Sequence, residues 1–280
     1  RKELNGRHRF FFFLLWRGSL IEVFSRLVCR LFFRKGFGTL QLLFEQLLNG
    51  LAIGSIYALI TLGLALVYGI LRILHVAHAA VYTVGAYVGL WLYGLSGTLL
   101  IAVPGSMAVC AVLGVAIERF IYFPLLKFPP YVPLISSIAL FMGLEELCRL
   151  VAGPDLLTFP ATLPFPSFVV GGVTISSTLT AVYSVTAVVL VVLWILSTKT
   201  EFGLAMRAAS QDMEVASSLG VNSHRVVSAT FVIGSSIAAI AGILVGIYYN
   251  QVYPTMGAVP AYKTLALIVV GGMGSVPGAV

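Results

Sequence analysis

The sequence predicts an all-α polytopic membrane protein: a bundle of about seven or eight transmembrane helices, with a short polar helix on one side and a small external loop and hairpin on the other. Three observations carry this. Of 280 residues, 59% are apolar and 10% charged, at a mean hydropathy of +1.02, whereas a soluble domain carries about a quarter charged residues. Apolar runs of about 20 residues, the length that crosses a bilayer as a helix, recur along the chain. One stretch in the second half, Glu201 to Asn222 (EFGLAMRAASQDMEVASSLGVN), is too polar for hydrocarbon and lies between two such runs.

The net charge of +7 is concentrated at one end. Residues 1–45 hold nine Lys or Arg against Glu3, Glu22 and Glu45, a distribution that argues against nucleic acid as a partner. RFFFFLLW is too short to span, and Arg17, Glu22, Arg26 and Arg30 interrupt the apolar residues after it. Residues 1–45 are therefore expected to lie along the lipid headgroups or to be a non-native extension, distinct from a membrane domain over 46–280. No small-residue cleavage site comes after the apolar run, so a signal peptide is not expected. The chain starts on Arg1, and its last apolar run meets Val280 with no polar end; a fragment truncated at the C-terminus is the expectation. Cys29, Cys110 and Cys148 are scattered and odd in number, giving neither a disulfide framework nor metal-ligand spacing.

The expected spans are Leu47–Leu71, Ile73–Tyr93, Thr98–Ile117, Pro133–Ala152, Ile175–Leu196 and Val226–Tyr248, with a seventh starting near Tyr262. A cytoplasmic 201–222 segment puts Arg72, Arg119 and Lys127 on the same side, as the positive-inside tendency prefers. The same count leaves the basic N-terminal segment outside. Either that segment makes an extra crossing or one span is re-entrant. Gly50/Gly54, Gly85/Gly89, Gly242/Gly246 and Gly274/Gly278 are each four apart, the spacing of close helix packing.

Four polar features stand in or near these spans. His75 and His78, three apart, are expected on one face of the second span, as substrate contacts, a proton relay, neutral histidines bonded to backbone or, least in favour because no Cys or carboxylate is near in sequence, a metal site. Glu145, Glu146 and Arg149 sit near the outer end of the fourth span, with Glu145 and Arg149 at the spacing of a helical ion pair. Gly153–Ser177 has four prolines and a Gly171-Gly172 turn between β-branched runs; it reads as an external loop with a hairpin, a cover over the bundle or a dock for an external partner. Lys263 opens the seventh span, either structural or part of a path.

Within 201–222, Asp212 is placed to cap a short helix whose Met213, Ala216 and Leu219 share one side. Gly220 falls at a left-handed stop, and Asn222 or Ser223 starts the next helix. The reading is an amphipathic helix at the membrane surface or an ordinary loop with a helical turn. GGMGSVPGA lacks the Lys-Ser/Thr ending of a phosphate loop, and neither HExxH nor GxSxG occurs. No enzyme activity, cofactor or metal is expected.

Several motifs in order then carry a resemblance. NGLAIGSIYALITLGLALVYGILRILHVAHAAVYTVGAY (Asn49 to Tyr87) resembles the opening of the permease subunits of branched-chain amino acid ABC importers. Glu118-Arg119, Tyr122 and Pro124 resemble that family's ER..Y.P turn, and Lys263 with GGMGSVPGA its K...GG.GS.PGA. Gly203, Ala205, Arg207, Ala208, Asp212, Ala216, Leu219, Gly220 and Asn222 fall where the family has its ATPase-contacting loop. The resemblance runs from Leu47 to Val280. Two departures stand out. The family's second span opens Asn-Phe-Ala-His-Gly before an acidic residue, where this chain has His75 to Ala80, and Phe123 replaces an Arg.

The resemblance implies a multi-pass permease in a bacterial or archaeal plasma membrane, importing a small amino acid by alternating access. It implies cytoplasmic ATP-binding subunits, a second permease subunit (the same or a related chain) and an external solute-binding protein as partners. It makes Arg207, Ala208, Asp212, Ala216, Leu219 and Gly220 the ATPase-coupling residues; beside it, Tyr57, His75, His78 and Lys263 are the candidates for the translocation path. The competing reading is a secondary transporter or channel for a small polar solute, which works without an ATPase and leaves the 201–222 segment unexplained.

Overall fold

Long apolar runs form helices because nearly every backbone N–H and C=O is then satisfied within the segment, the condition hydrocarbon imposes; Pro104 is accommodated inside one of them. The computed structural model describes residues 36–163, 166–170 and 173–272. Its helices are α1 (Gly36–Leu71), α2 (His78–Ser96), α3 (Leu99–Ile117), α4 (Tyr131–Ala152), α5 (Ser177–Lys199), α6 (Glu201–Gln211), α7 (Met213–Ser218), α8 (Ser223–Tyr249) and α9 (Ala258–Gly271). The chain is an all-α polytopic membrane protein. Among the described residues, five helices are long and apolar enough to cross a membrane: Gln41–Leu71, His78–Ser96, Leu99–Leu125, Ser177–Lys199 and Ser223–Tyr249. Exposed side chains fit that setting. Val188, Val191, Val192 and Ile195 line one outward face of α5 at helical spacing.

The chain divides into two compact units, residues 1–49 with 169–174, and 50–168 with 175–280. In the smaller unit the described backbone is helical from Gly36, ahead of the Leu47 start expected from hydropathy, because Leu, Gln and Glu in that stretch favour helix. Strands β1 (Phe168–Val170) and β2 (Val173–Ile175) pair as the expected hairpin, and its Gly171-Gly172 turn lies outside the described residues. Gly274 and Gly278 also lie outside them.

In the larger unit α8 is central, packed mainly on α2 and α3. Small residues set the closeness. A side chain at Gly85 would meet the Ala239 backbone at 2.5 Å, and one at Gly242 would strike the Tyr82 carbonyl. Gly114 lies against Ser235 and the Phe231 carbonyl, and Gly246 against Phe159 and Val252. Two of the glycine pairs thus pack helix on helix or loop. Gly50 and Gly54 have nothing within 4 Å, so that pair does not.

Two features depart from a plain bundle. Leu71 is followed by a bend at 72–77, in which Arg72 takes φ +53°. The second helix consequently starts at His78, five residues after the expected Ile73. At the end of α3 the helix widens into a π turn, Glu118–Tyr122. Pro124 comes two residues after it; it has no N–H to return to the preceding turn, which favours such a local widening. The π turn brings both Glu118 and Tyr122 into the buried interior.

Candidate functional site

The two ends of α8 carry the residues singled out from sequence. α8 has 27 residues, a helix on the order of 40 Å long. Its N-terminus adjoins the polar 201–222 segment and its C-terminus leads to the loop before α9.

At the N-terminal end, α6 and α7 are built by side-chain caps. Thr200 accepts from the Gly203 amide, and Asp212, in extended conformation, accepts from the amides of Glu214 and Val215. Asn222 accepts from the Arg225 amide to open α8. Gly220 takes φ +93°, the left-handed stop read from sequence. α6 is strongly amphipathic, with Gly203, Met206 and Ala209 buried and Leu204 and Arg207 exposed. Ala216 is buried in α7, whereas Val215 is exposed. The expectation that Leu219 shares a side with Met213 and Ala216 is corrected. α7 ends at Ser218, so Leu219 leaves the helical period and is 80% exposed.

This segment is tied to the bundle by polar links. The Arg72 guanidinium donates to the Ser210 carbonyl at 3.3 Å. Behind it, His75 Nδ1 and the Tyr122 hydroxyl are 2.6 Å apart, and the Ala77 amide donates to Ser137 Oγ at 3.0 Å. Ser228 on α8 donates to the buried Glu118 carboxylate at 2.9 Å. His75, Tyr122 and Phe231 pack ring on ring, with centroids 5.2–5.8 Å apart.

His75 and His78 are both buried, with ring centroids 5.8 Å apart. They do not share a helix face, because His75 sits in the bend and His78 is the first residue of α2. His78 rests on the α1 backbone: a Cβ at Gly63 would meet its Nε2 at 2.6 Å and the Gly234 carbonyl at 2.9 Å. The two histidines therefore lock the bend and the α1–α8 crossing. Among the described residues no group of three or more His, Cys, Asp or Glu is placed to hold a metal ion.

At the C-terminal end of α8 a cavity of about 230 Å³ opens between α1, α2, α8 and α9. Tyr57, Tyr82, Tyr249, Gln251, Tyr253 and Lys263 supply its polar groups, and Ile56, Ile60 and Met256 are among its apolar walls. Lys263 Nζ lies 5.1 Å from the centre of the Tyr57 ring. A two-bond bridge between Leu157 and Val252 ties the loop after α4 to the loop beside the cavity, with Phe159 buried beneath. The described part of the external loop thus covers the bundle end.

The structure accordingly brings Tyr57 and Lys263 together and places His75 and His78 elsewhere. Sequence reading did not find Gln251, Tyr249 and Tyr253; a polar Gln between two apolar runs was the available signal. Arg149 pairs more closely with Glu146, at 2.8 Å, than with the expected Glu145, at 3.9 Å, and none of the three lines the cavity.

Comparison with known proteins identifies the family. Residues 46–280 match the model of the family described as branched-chain amino acid transport system / permease component. The chain is 35% identical over 249 residues to the high-affinity branched-chain amino acid transport system permease protein BraD of Pseudomonas aeruginosa, covering 84% of this chain and 81% of that one. It is 34% identical to the permease protein LivH of Escherichia coli K12, covering 84% and 80%. It is 26% identical to a probable branched-chain amino acid transport permease protein LivH of Methanocaldococcus jannaschii, covering 84% and 76%. No solved structure matches the chain.

Proposed function

This chain belongs to the branched-chain amino acid transport system permease family, and from that membership we propose that it moves a small amino acid of the branched-chain type inward, driven by ATP hydrolysis on separate subunits. It is a multi-pass plasma-membrane permease subunit. Residues 46–280 are the permease domain, and 201–222 its cytoplasmic coupling segment. A second permease subunit, identical or related, completes the pair, and an external binding protein delivers the solute.

The observation that carries this reading is the capped, exposed face of α6 and α7. Leu204, Val215 and Leu219 are 62%, 55% and 80% exposed, beside exposed Arg207, on a stretch too polar to enter hydrocarbon. Large apolar side chains left on a polar surface mark a protein contact. An ATPase there acts on the bundle only through contacts that differ between outward- and inward-open states. Arg207, Val215, Leu219 and the Gly220 turn make those contacts. Ala208, Asp212 and Ala216 hold the two helices in place for them. The Arg72–Ser210 bond and the bend at 72–77 carry the movement inward, with His75 and His78 as packing elements of that relay. The cavity at Tyr57 and Lys263 lies on the solute path at the other end.

A mild-detergent pull-down from native membranes, scored for a co-purifying ATPase, tests this. The native chain is expected to bring the ATPase down, and a chain with Arg207→Glu and Gly220→Pro to lose it. An intact permease that brings down no ATPase overturns the reading.

A further inference from the structure

The cavity beside α9 treats the two ends of an amino acid unequally. Among the described residues that line it, Lys263 is the one that carries a charge, and none is Asp or Glu. An α-carboxylate entering the cavity meets the Lys263 ammonium, a compact point charge with three donors. An α-ammonium meets only neutral groups: tyrosine hydroxyls and ring faces, and the Gln251 amide. The Tyr57 ring face holds Lys263 Nζ at 5.1 Å, so the cation is presented at the cavity rather than turned away from it. Buried Ile56, Ile60 and Met256 leave an apolar wall for a hydrocarbon tail. At about 230 Å³ the space falls below that of drug-sized pockets and suits a small metabolite.

We propose that Lys263 reads the carboxylate of the transported solute, and that this cavity selects on the carboxylate and the apolar tail without selecting on the ammonium. It then accepts the α-oxo and α-hydroxy acids of the same carbon skeleton as well as the amino acid. It rejects the corresponding amine and amide, which carry no carboxylate. This rests on the importer reading and adds a solute class to it. Selection for the ammonium falls to whatever delivers the solute.

The test uses the assembled transporter in liposomes without its binding protein. Cys29, Cys110 and Cys148 are replaced by alanine, and one cysteine is placed in the cavity wall by Val259→Cys, a position 40% exposed. Labelling rates with an anionic and a cationic methanethiosulfonate of similar size, each normalised to free cysteine, report the sign of the local field. The anionic reagent is expected to react roughly tenfold faster. Lys263→Gln removes that bias and Lys263→Arg keeps it. With Lys263 in place, leucine, its α-oxo acid and its α-hydroxy acid slow labelling, whereas isoamylamine and leucinamide do not.

Absence of a bias, a bias unchanged by Lys263→Gln, protection by the amine, or protection by none of the five compounds overturns the proposal. A missing ATPase with the charge bias intact refutes the importer reading alone. A retained ATPase with no bias refutes this inference alone.

Discussion

The two ends of α8 are built on opposite terms. At its N-terminal end, four specific hydrogen bonds and a stack of rings tie α6, the bend at 72–77, the π turn, α4 and α8 into one arrangement. At its C-terminal end, tyrosines and one lysine surround a cavity, and the Leu157–Val252 bridge and the Thr162–Tyr93 hydrogen bonds hold the loop after α4 beside it. Breaking the buried bonds the N-terminal end makes is expensive, which holds its geometry, although His75 Nε2 has no hydrogen-bond partner among the described residues. A cavity with few bonds across it admits a ligand and lets loops shift. Between the two, α8 lies backbone to backbone on α2 at Gly85 and Gly242. On the function proposed above, a displacement at the N-terminal end would travel along α8 as a rigid movement, and the end able to yield would be the one that holds the cavity.

The substitution expected to matter most breaks the part both ends share. Gly242→Leu drives a side chain into the Tyr82 carbonyl, a backbone atom that cannot rotate away, at a cost of about 3 kcal/mol or more. Melting of the purified protein should fall by several degrees and uptake should vanish, with ATPase binding and cavity labelling lost together. If cavity labelling survives unchanged, the ends are not joined through this contact.

Ser228→Ala acts on the knot alone. It removes the donor to buried Glu118, and the abandoned carboxylate costs about 1–3 kcal/mol. Thermal unfolding should register this, and Ser228→Thr, which keeps the hydroxyl, should recover most of it. Equal losses in both variants would assign the effect to packing instead.

Asp212→Ala acts on the surface segment. Loss of a cap that serves two amides, Glu214 and Val215, costs about 1 kcal/mol. The expected result is a several-fold weaker ATPase pull-down with little change in melting, and Asp212→Asn should restore most of it. An undiminished pull-down would detach α7 from the docking face.

The smallest effect on packing is expected at Gly54→Ala, because nothing lies within 4 Å of a Cβ built there; only the helix propensity changes, a gain of about 0.5–1 kcal/mol. A loss in the assembled transporter, against this gain in the isolated chain, would show that another subunit covers this face.

Much of this was legible along the chain. Hydropathy gave five of the expected spans, with starts within six residues of those observed, whereas α4 and α9 are not among the five described helices long and apolar enough to cross; the Asp212 cap, the Gly220 stop and the Asn222 start appear as read. Each depends on a side chain and amides within three residues of it, so local chemistry settles it. The ordered motifs gave the family. The histidine pair was misplaced because three-residue spacing implies a shared face only inside a helix, and Arg72 turns the chain out of helix just before His75. The glycine pairs looked alike in sequence. Gly85 and Gly242 touch a neighbouring backbone while Gly50 and Gly54 touch nothing, a distinction made by what lies opposite.

The sequence by itself determined the membrane class, the order of the helices and the surface helix between α6 and α8, because hydrophobic length, caps and stops act over one or two turns. Only the tertiary structure decided that Lys263 and Tyr57 face one cavity and that Glu118 meets Ser228, pairs far apart along the chain. Contacts of that kind depend on how closely the helix backbones pack, and no single helix carries that information.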